Sequence, residues 1–178
     1  MNEILIVPAI TAEVELLQQI ARETFQESFA ADNTPENMKQ YLQDNFSIAK
    51  LSAELSEPDS EFYFAMLRNQ PIGYMKVNYR TAQSELYNSR AVELERIYVL
   101  KSHQGKKIGQ QLFNRAVTLA MEVRAPFLWL GVWEHNTKAI AFYRKNGFTE
   151  FTTHEFRLGT EVQTDLIMRL NLPLHNLQ

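Results

Sequence analysis

The sequence predicts a mixed α/β fold, a sheet of about seven strands with helices on both faces. Three observations predict it. Strand-like runs recur along the whole chain, and stretches with an apolar residue every third or fourth position separate several of them. No repeat, low-complexity tract or Gly/Ser linker divides the 178 residues. One domain over residues 1–178 is expected, long enough to bury roughly two-thirds of its unfolded surface.

Ile4 to Val7 reads as a short buried strand. Thr11 is placed to cap a helix with Glu13 and Glu15 in its first turn and Val14, Leu17, Ala21, Phe25 and Phe29 on one face. Pro35 suits the first turn of a second helix, Glu36 to about Asn45, and Ser47 caps a short third one ending near Glu57. Glu61 to Leu67 and Ile72 to Tyr79 read as a hairpin about Asn69-Gln70-Pro71. Tyr79 to Ala91 is polar and irregular. Val92 to Leu100 is a strand with charges inside it, and Ile108, Leu112, Ala116, Leu119 and Val123 mark an amphipathic helix. Phe127 to Trp133 is a fully buried strand, and a helix from Asn136 to Asn146 stops at Gly147. Phe148 to Leu158 and Val162 to Leu170 complete the strands.

Composition narrows the chemistry. The chain has no cysteine, which excludes disulfides, thiolate metal sites and a cysteine nucleophile. His103, His135, His154 and His175 are too scattered to suggest a metal, so none is expected. A net charge of -3 offers no basic footprint for nucleic acid and suits a cationic small molecule. Neither Met1-Asn2-Glu3 with the short apolar run after it nor Phe127 to Trp133 resembles a signal peptide or a membrane span. A cytoplasmic protein with no membrane partner is expected, and a homodimer is compatible with the sequence.

Two segments carry chemistry. After the strand Val92 to Leu100 comes Gln104-Gly105-Lys106-Lys107-Ile108-Gly109, leading directly into a helix. A strand, a glycine-containing loop and a helix amino terminus together make an anion site, because backbone N–H groups there point outward unpaired. The residues alone fit a phosphate site and a plain strand-to-helix turn equally well. Glu93 and Glu95 alternate with Leu94, so they share one face of a strand that otherwise reads as buried. Carboxylates in that setting are either paired with cations such as Arg96 or Lys76, or line a substrate cleft.

Leu94-Glu95-Arg96-Ile97-Tyr98-Val99, Gln104 to Gly109, Asn136, Tyr143 and Gly147-Phe148 together resemble the core of the GNAT acetyltransferase superfamily, in its order and spacing over about residues 61 to 170. Its loop signature is Gln or Arg, two variable residues, Gly, one variable residue, then Gly or Ala. Gln104 and Gly109 match it, whereas Lys107 stands where the middle glycine is usual. The resemblance implies a mainly antiparallel twisted sheet and acetyl-CoA as co-substrate. It implies that Ile97, Tyr98 and Val99 bind the pantetheine arm, while Gln104, Gly105, Lys106, Lys107, Ile108, Gly109 and Gln110 cradle the pyrophosphate. Asn136, with Thr137 beside it, would contact pantetheine, Lys138 and Lys145 would meet the phosphates, and Tyr143 would protonate the leaving thiolate. Glu93, or failing that Glu95, would take the amine proton, a bulge in the strand deciding which side chain faces the cleft.

Glu23-Thr24-Phe25, Pro35 to Lys39, Leu94 to Tyr98, Trp129 to Glu134, Ala139 to Tyr143 and Gln163 to Met168 further resemble the PaiA-type polyamine (spermidine/spermine) acetyltransferases. A polyamine wants spaced carboxylates and aromatic walls, for which Glu27, Asp32, Glu36, Glu93, Glu95 and Glu134, with Phe25, Tyr41 and Trp133, are the candidates. The alternatives are acetylation of protein amino termini or other small amines, and a non-catalytic acyl-CoA-binding regulatory module.

Overall fold

A computed structural model describes residues 3–173; Met1, Asn2 and residues 174–178, His175 among them, lie outside the described residues. The elements run β1 (Leu5–Pro8), α1 (Val14–Phe29), α2 (Pro35–Asn45), α3 (Ile48–Leu55), β2 (Ser60–Leu67), β3 (Gln70–Tyr79), β4 (Val92–Val99), α4 (Ile108–Glu122), β5 (Phe127–Trp133), α5 (Thr137–Lys145), β6 (Thr149–Leu158) and β7 (Glu161–Asn171). They form one seven-stranded sheet in the order β1-β2-β3-β4-β5-β7-β6. Every neighbouring pair is antiparallel except β4 and β5, which α4 joins as a crossover.

Strand alternation sends side chains to two cores. Leu94, Leu128, Leu130 and Met168 pack with Leu112, Phe113 and Tyr143 on the α4–α5 side. Phe62, Phe64 and Tyr74 pack with Leu17, Phe25 and Leu51 on the α1–α3 side, where Leu158 also ends. Burying a side chain of this size contributes about 1.5–3 kcal/mol, so both faces of the sheet are committed.

Several boundaries differ from the sequence expectation. Thr11 caps nothing: it begins a 3₁₀ turn, α1 starts at Val14, and the Glu13 carboxylate accepts the Ile10 N–H at 3.0 Å. The hairpin turns at Arg68 and Asn69, both with positive φ, rather than about Asn69-Gln70-Pro71. Gln70 and Pro71 therefore belong to β3, and a bulge between Ala65 and Met66 admits the proline. α3 stops at Leu55, short of Glu57, and Asn136 caps α5 instead of opening it.

Three features shape the central cleft. β4 touches β5 only through Val92–Leu128 and Glu93–Trp129, after which the strands diverge. In β4, Lys76 of β3 pairs with Arg96 and Val77 with Leu94, which leaves Glu95 as a bulged residue. The bulge turns Arg96 to the face that carries Glu93, where unbroken alternation would send it to the other. Lastly, the β6–β7 turn docks on α2. Gly159 has a φ of +62°, and a Cβ there would lie 2.1 Å from Asn37 Oδ1, which accepts the Thr160 N–H at 3.3 Å.

Candidate active site

The divergence of β4 and β5 opens a cleft of about 900 Å³ that runs through the sheet from one face to the other. On its α4 side stands the loop anticipated as an anion site. Gly105 and Lys107 both have positive φ, +77° and +62°, so Lys107 adopts the left-handed conformation that favours glycine. That conformation explains the glycine usual at this point of the loop signature. Lys107 is the amino-terminal cap of α4 and no side chain caps the helix, so the first backbone N–H groups of α4 stay open. Gln104 does not reach outward. Its amide donates to the Val99 carbonyl at 3.1 Å and accepts from Lys138 Nζ at 3.0 Å, tying β4, the loop and α5 together. Lys106 Nζ donates to the Ser102 carbonyl, and Gln110 donates to Asn114 and Asn146.

Gly105, Lys107, Ile108, Gly109 and Gln110 line the cleft together with Asn136, Lys138 and Lys145; Lys106 and Thr137 do not. Ile97, Tyr98 and Val99 line it from β4, beyond the last pairing with β5. Asn136 Oδ1 accepts the Ala139 N–H at 3.2 Å, which leaves its amide N–H₂ as the group free to face a ligand. Tyr143 is 8 % exposed and packs between Phe142 and Phe148, while still lining the cleft. Burial raises its hydroxyl well above the ordinary tyrosine range, so it stays protonated at neutral pH.

The two carboxylates of β4 have different surroundings. Glu93 is 3 % exposed and lines the cleft. It accepts the Ser84 backbone N–H at 2.7 Å, the Ser84 hydroxyl, and Asn78 Nδ2 at 3.0 Å. Burial and the neighbouring Glu95 raise its pKa, and these hydrogen bonds only partly oppose them. Glu95 sits 2.6 Å from Lys76 Nζ and 3.1 Å from Arg96, and Glu54 meets the same two cations at 3.3 and 2.9 Å. Burial would raise Glu95 as well, but Arg96 and Lys76 prevail and hold it at about 2. Its charge is thus spent within a neutral quartet.

On the α1 side, Phe25, Phe29, Tyr41, Trp133 and Phe156 wall the cleft. Tyr41 stacks on Phe25 at 4.5 Å and meets Phe156 edge-on at 5.7 Å. Four expected acceptor-groove carboxylates are elsewhere. Glu27, Asp32, Glu36 and Glu134 do not line the cleft; Glu27 accepts the Lys101 backbone N–H, and Glu134 stands beside His135. Sequence reasoning missed Ser84 and Asn78, which hold Glu93, and Asp165, which lines the cleft from β7. A carboxylate amid the apolar run Leu166 to Met168 was the available signal for Asp165. For Ser84, in an irregular segment, there was none. Among the described residues no group of three or more His, Asp or Glu is placed to hold a metal.

A cleft through a sheet split between two parallel strands, with an open helix amino terminus at one edge, fits an acyl-CoA-dependent transferase. Residues 14–148 match the acetyltransferase (GNAT) family model, so the chain belongs to the GNAT family, whose members take their acetyl group from acetyl-CoA. It is 41 % identical over 150 residues to an uncharacterised N-acetyltransferase of Lactobacillus delbrueckii subsp. lactis, covering 84 % of this chain and 87 % of that one. It is 26 % identical to the spermidine N(1)-acetyltransferase of Thermoplasma acidophilum, over 76 % of this chain and 82 % of that one. Its fold is similar to that of the PaiA N-acetyltransferase from Thermoplasma acidophilum in complex with coenzyme A, with a TM-score of 0.79 at 25 % identity over 96 % and 99 % of the two chains.

Proposed function

We propose that this acetyltransferase transfers the acetyl group of acetyl-CoA to a primary amine of a polyamine such as spermidine or spermine. The observation that carries this reading is the sorting of charge across the cleft. Lys107, Lys138 and Lys145 stand on the α4–α5 side, and Glu93 and Asp165 on the other. The first suits a polyanionic coenzyme, the second a cationic acceptor. The likeness to a spermidine acetyltransferase supports the same reading.

In this mechanism the open amides of the loop and α4 take the pyrophosphate, and the free edge of β4 at Ile97 to Val99 takes pantetheine. Glu93 accepts a proton from the bound ammonium. The freed nitrogen lone pair attacks the thioester carbonyl, a C–N bond forms and the C–S bond breaks. Tyr143 gives its proton to the leaving thiolate and is reprotonated by the second proton that the nitrogen sheds as the amide forms, while Glu93 returns its own proton to solvent. Glu93 suits the base because its raised pKa makes it a better proton acceptor than an ordinary carboxylate while it remains unpaired by any cation. Glu95 at about 2 does not, so its role is structural. Coenzyme A release with a panel of amines tests the function: spermidine and spermine should be acetylated, with activity falling as ionic strength rises. Good turnover of peptides with free amino termini and none of polyamines would transfer the function to protein acetylation. Coenzyme binding without turnover of any amine would leave a regulatory module.

A further inference from the structure

Of the carboxylates that line the cleft, Glu95 is neutralised, Glu93 is held by three hydrogen bonds and Glu85 faces His154 at 3.2 Å. Asp165 has no such partner among the described residues. It lies on β7 in register with Trp133 of β5 and His154 of β6. Its Oδ2 stands 3.4 Å from where a Cβ on Gly131 would be, so the carboxyl leans back over Gly131 of β5, and it lines the cleft. Among the described residues it has no ion-pair partner, and its one titratable neighbour of opposite sign, His154, is engaged with Glu85 at 3.2 Å. Burial pushes its pKa up to about 6 against the opposing influence of His154.

A second acceptor on the same wall also lacks a donor. Gln163 precedes Asp165 by two residues and so shares its face of β7. Asn33 Nδ2 donates to the Phe29 carbonyl, which turns Asn33 Oδ1 toward Gln163 and obliges Gln163 to donate there at 3.2 Å. The Gln163 carbonyl oxygen is thereby left buried without a partner. Around both stand the rings of Trp133, Tyr41 and Phe156. The Gln163 oxygen is closed off from solvent, so the group a ligand meets is the Asp165 carboxylate within aromatic walls, which an alkylammonium satisfies through N–H donation, charge and cation–π contact.

Resting on the acetyltransferase reading above, we propose that Asp165 anchors a second cationic group of the acceptor while the amine to be acetylated lies before Glu93. Gly131 stands two residues beyond Trp129, the partner of Glu93, and one strand to the side. Two residues of rise and one strand spacing separate the Glu93 and Gly131 backbones by at least about 8 Å, and more where β4 and β5 diverge, so the two carboxylates occupy separate points along the cleft. The site then selects amines with two or more positive charges spaced along a flexible chain, and discriminates against monoamines of equal length.

The test compares kcat/KM for diaminobutane and diaminohexane with that for butylamine and hexylamine, in wild type and D165N. The wild type should prefer diamines by about tenfold or more, a difference worth about 1.4 kcal/mol, and D165N should bring the ratio close to one. The shift in Tm produced by coenzyme A alone, which reads the other half of the cleft, reports that D165N is folded. Equal losses with diamines and monoamines would make Asp165 structural and overturn the proposal, as would an unchanged ratio. If wild type releases coenzyme A with no amine, the acetyltransferase mechanism itself fails, and this proposal with it.

Discussion

On its α4 side the cleft presents backbone amides, two left-handed residues and lysines, mostly from one short stretch of chain. On its α1 side it presents carboxylates and rings drawn from six elements: Phe25 of α1, Tyr41 of α2, Glu93 of β4, Trp133 of β5, Phe156 of β6 and Asp165 of β7. The two halves differ in how they withstand change. A site made of local backbone depends on a few dihedral angles and on screened surface charge. A site made of distant side chains depends on the register of every strand that carries one. The α1 side is therefore the more costly to build, since it keeps two carboxylates in low-dielectric surroundings without a compensating cation among the described residues.

Four tests probe this contrast, in decreasing order of effect. Glu93→Gln should lower kcat by about 10²–10⁴-fold with little change in the KM for acetyl-CoA, read by steady-state kinetics. An equal fall from E95Q would collapse the distinction between the two carboxylates. The second variant reads the cost of an unpaired acid. The Asp165 carboxyl titrates at about 6 in the folded protein and near 4 when unfolded. The raised value means that stability is full below about pH 4 and is lost as pH rises through about 6. D165N should thus raise stability by about 1–2 kcal/mol at neutral pH, after allowing for partial exposure, and by nothing near pH 3.5, as followed by Tm against pH. A pH-independent gain would show that packing, not charge, separates the variants.

The third variant concerns the coenzyme half alone. Replacing Lys138 and Lys145 together by Ala should raise the KM for acetyl-CoA several-fold and leave the diamine-to-monoamine ratio intact, because exposed charges contribute about 0.2–1 kcal/mol each. A changed ratio would mean the halves are coupled. The smallest effect is conformational. At residue 107, with φ +62°, K107G should be more stable than K107A by about 1 kcal/mol in thermal unfolding, and both should bind coenzyme A alike. Equal stability would remove the strain attributed to this position.

How much of this was legible in the sequence follows the same division. Thr34 and Ser47 cap α2 and α3 by accepting the Asn37 and Lys50 N–H groups, and Ser47 was readable because capping is decided within four residues. The loop Gln104 to Gly109 was visible for the same reason. Glu93 and Glu95 were visible as an anomaly, two charges in a buried strand, but nothing local told them apart. What separates them is the bulge opposite Lys76 and Val77, which gathers Lys76, Arg96 and Glu54 around Glu95 and leaves Glu93 to Ser84 and to a share of Asn78, whose amide also donates to Glu95 at 2.6 Å.

By itself, then, the sequence determined which segments are strands and helices, the glycine-containing turn ahead of α4 and the family, because periodicity, caps and glycine placement act over a few residues. Only the tertiary structure decided which carboxylates are free, which aromatic rings line the cleft, and that Gln104 braces the loop instead of projecting from it. Those outcomes rest on contacts between residues as far apart as Glu54 and Arg96, or Gly131 and Asp165. Charge compensation in a low-dielectric interior is set by distance in space, which local sequence does not encode.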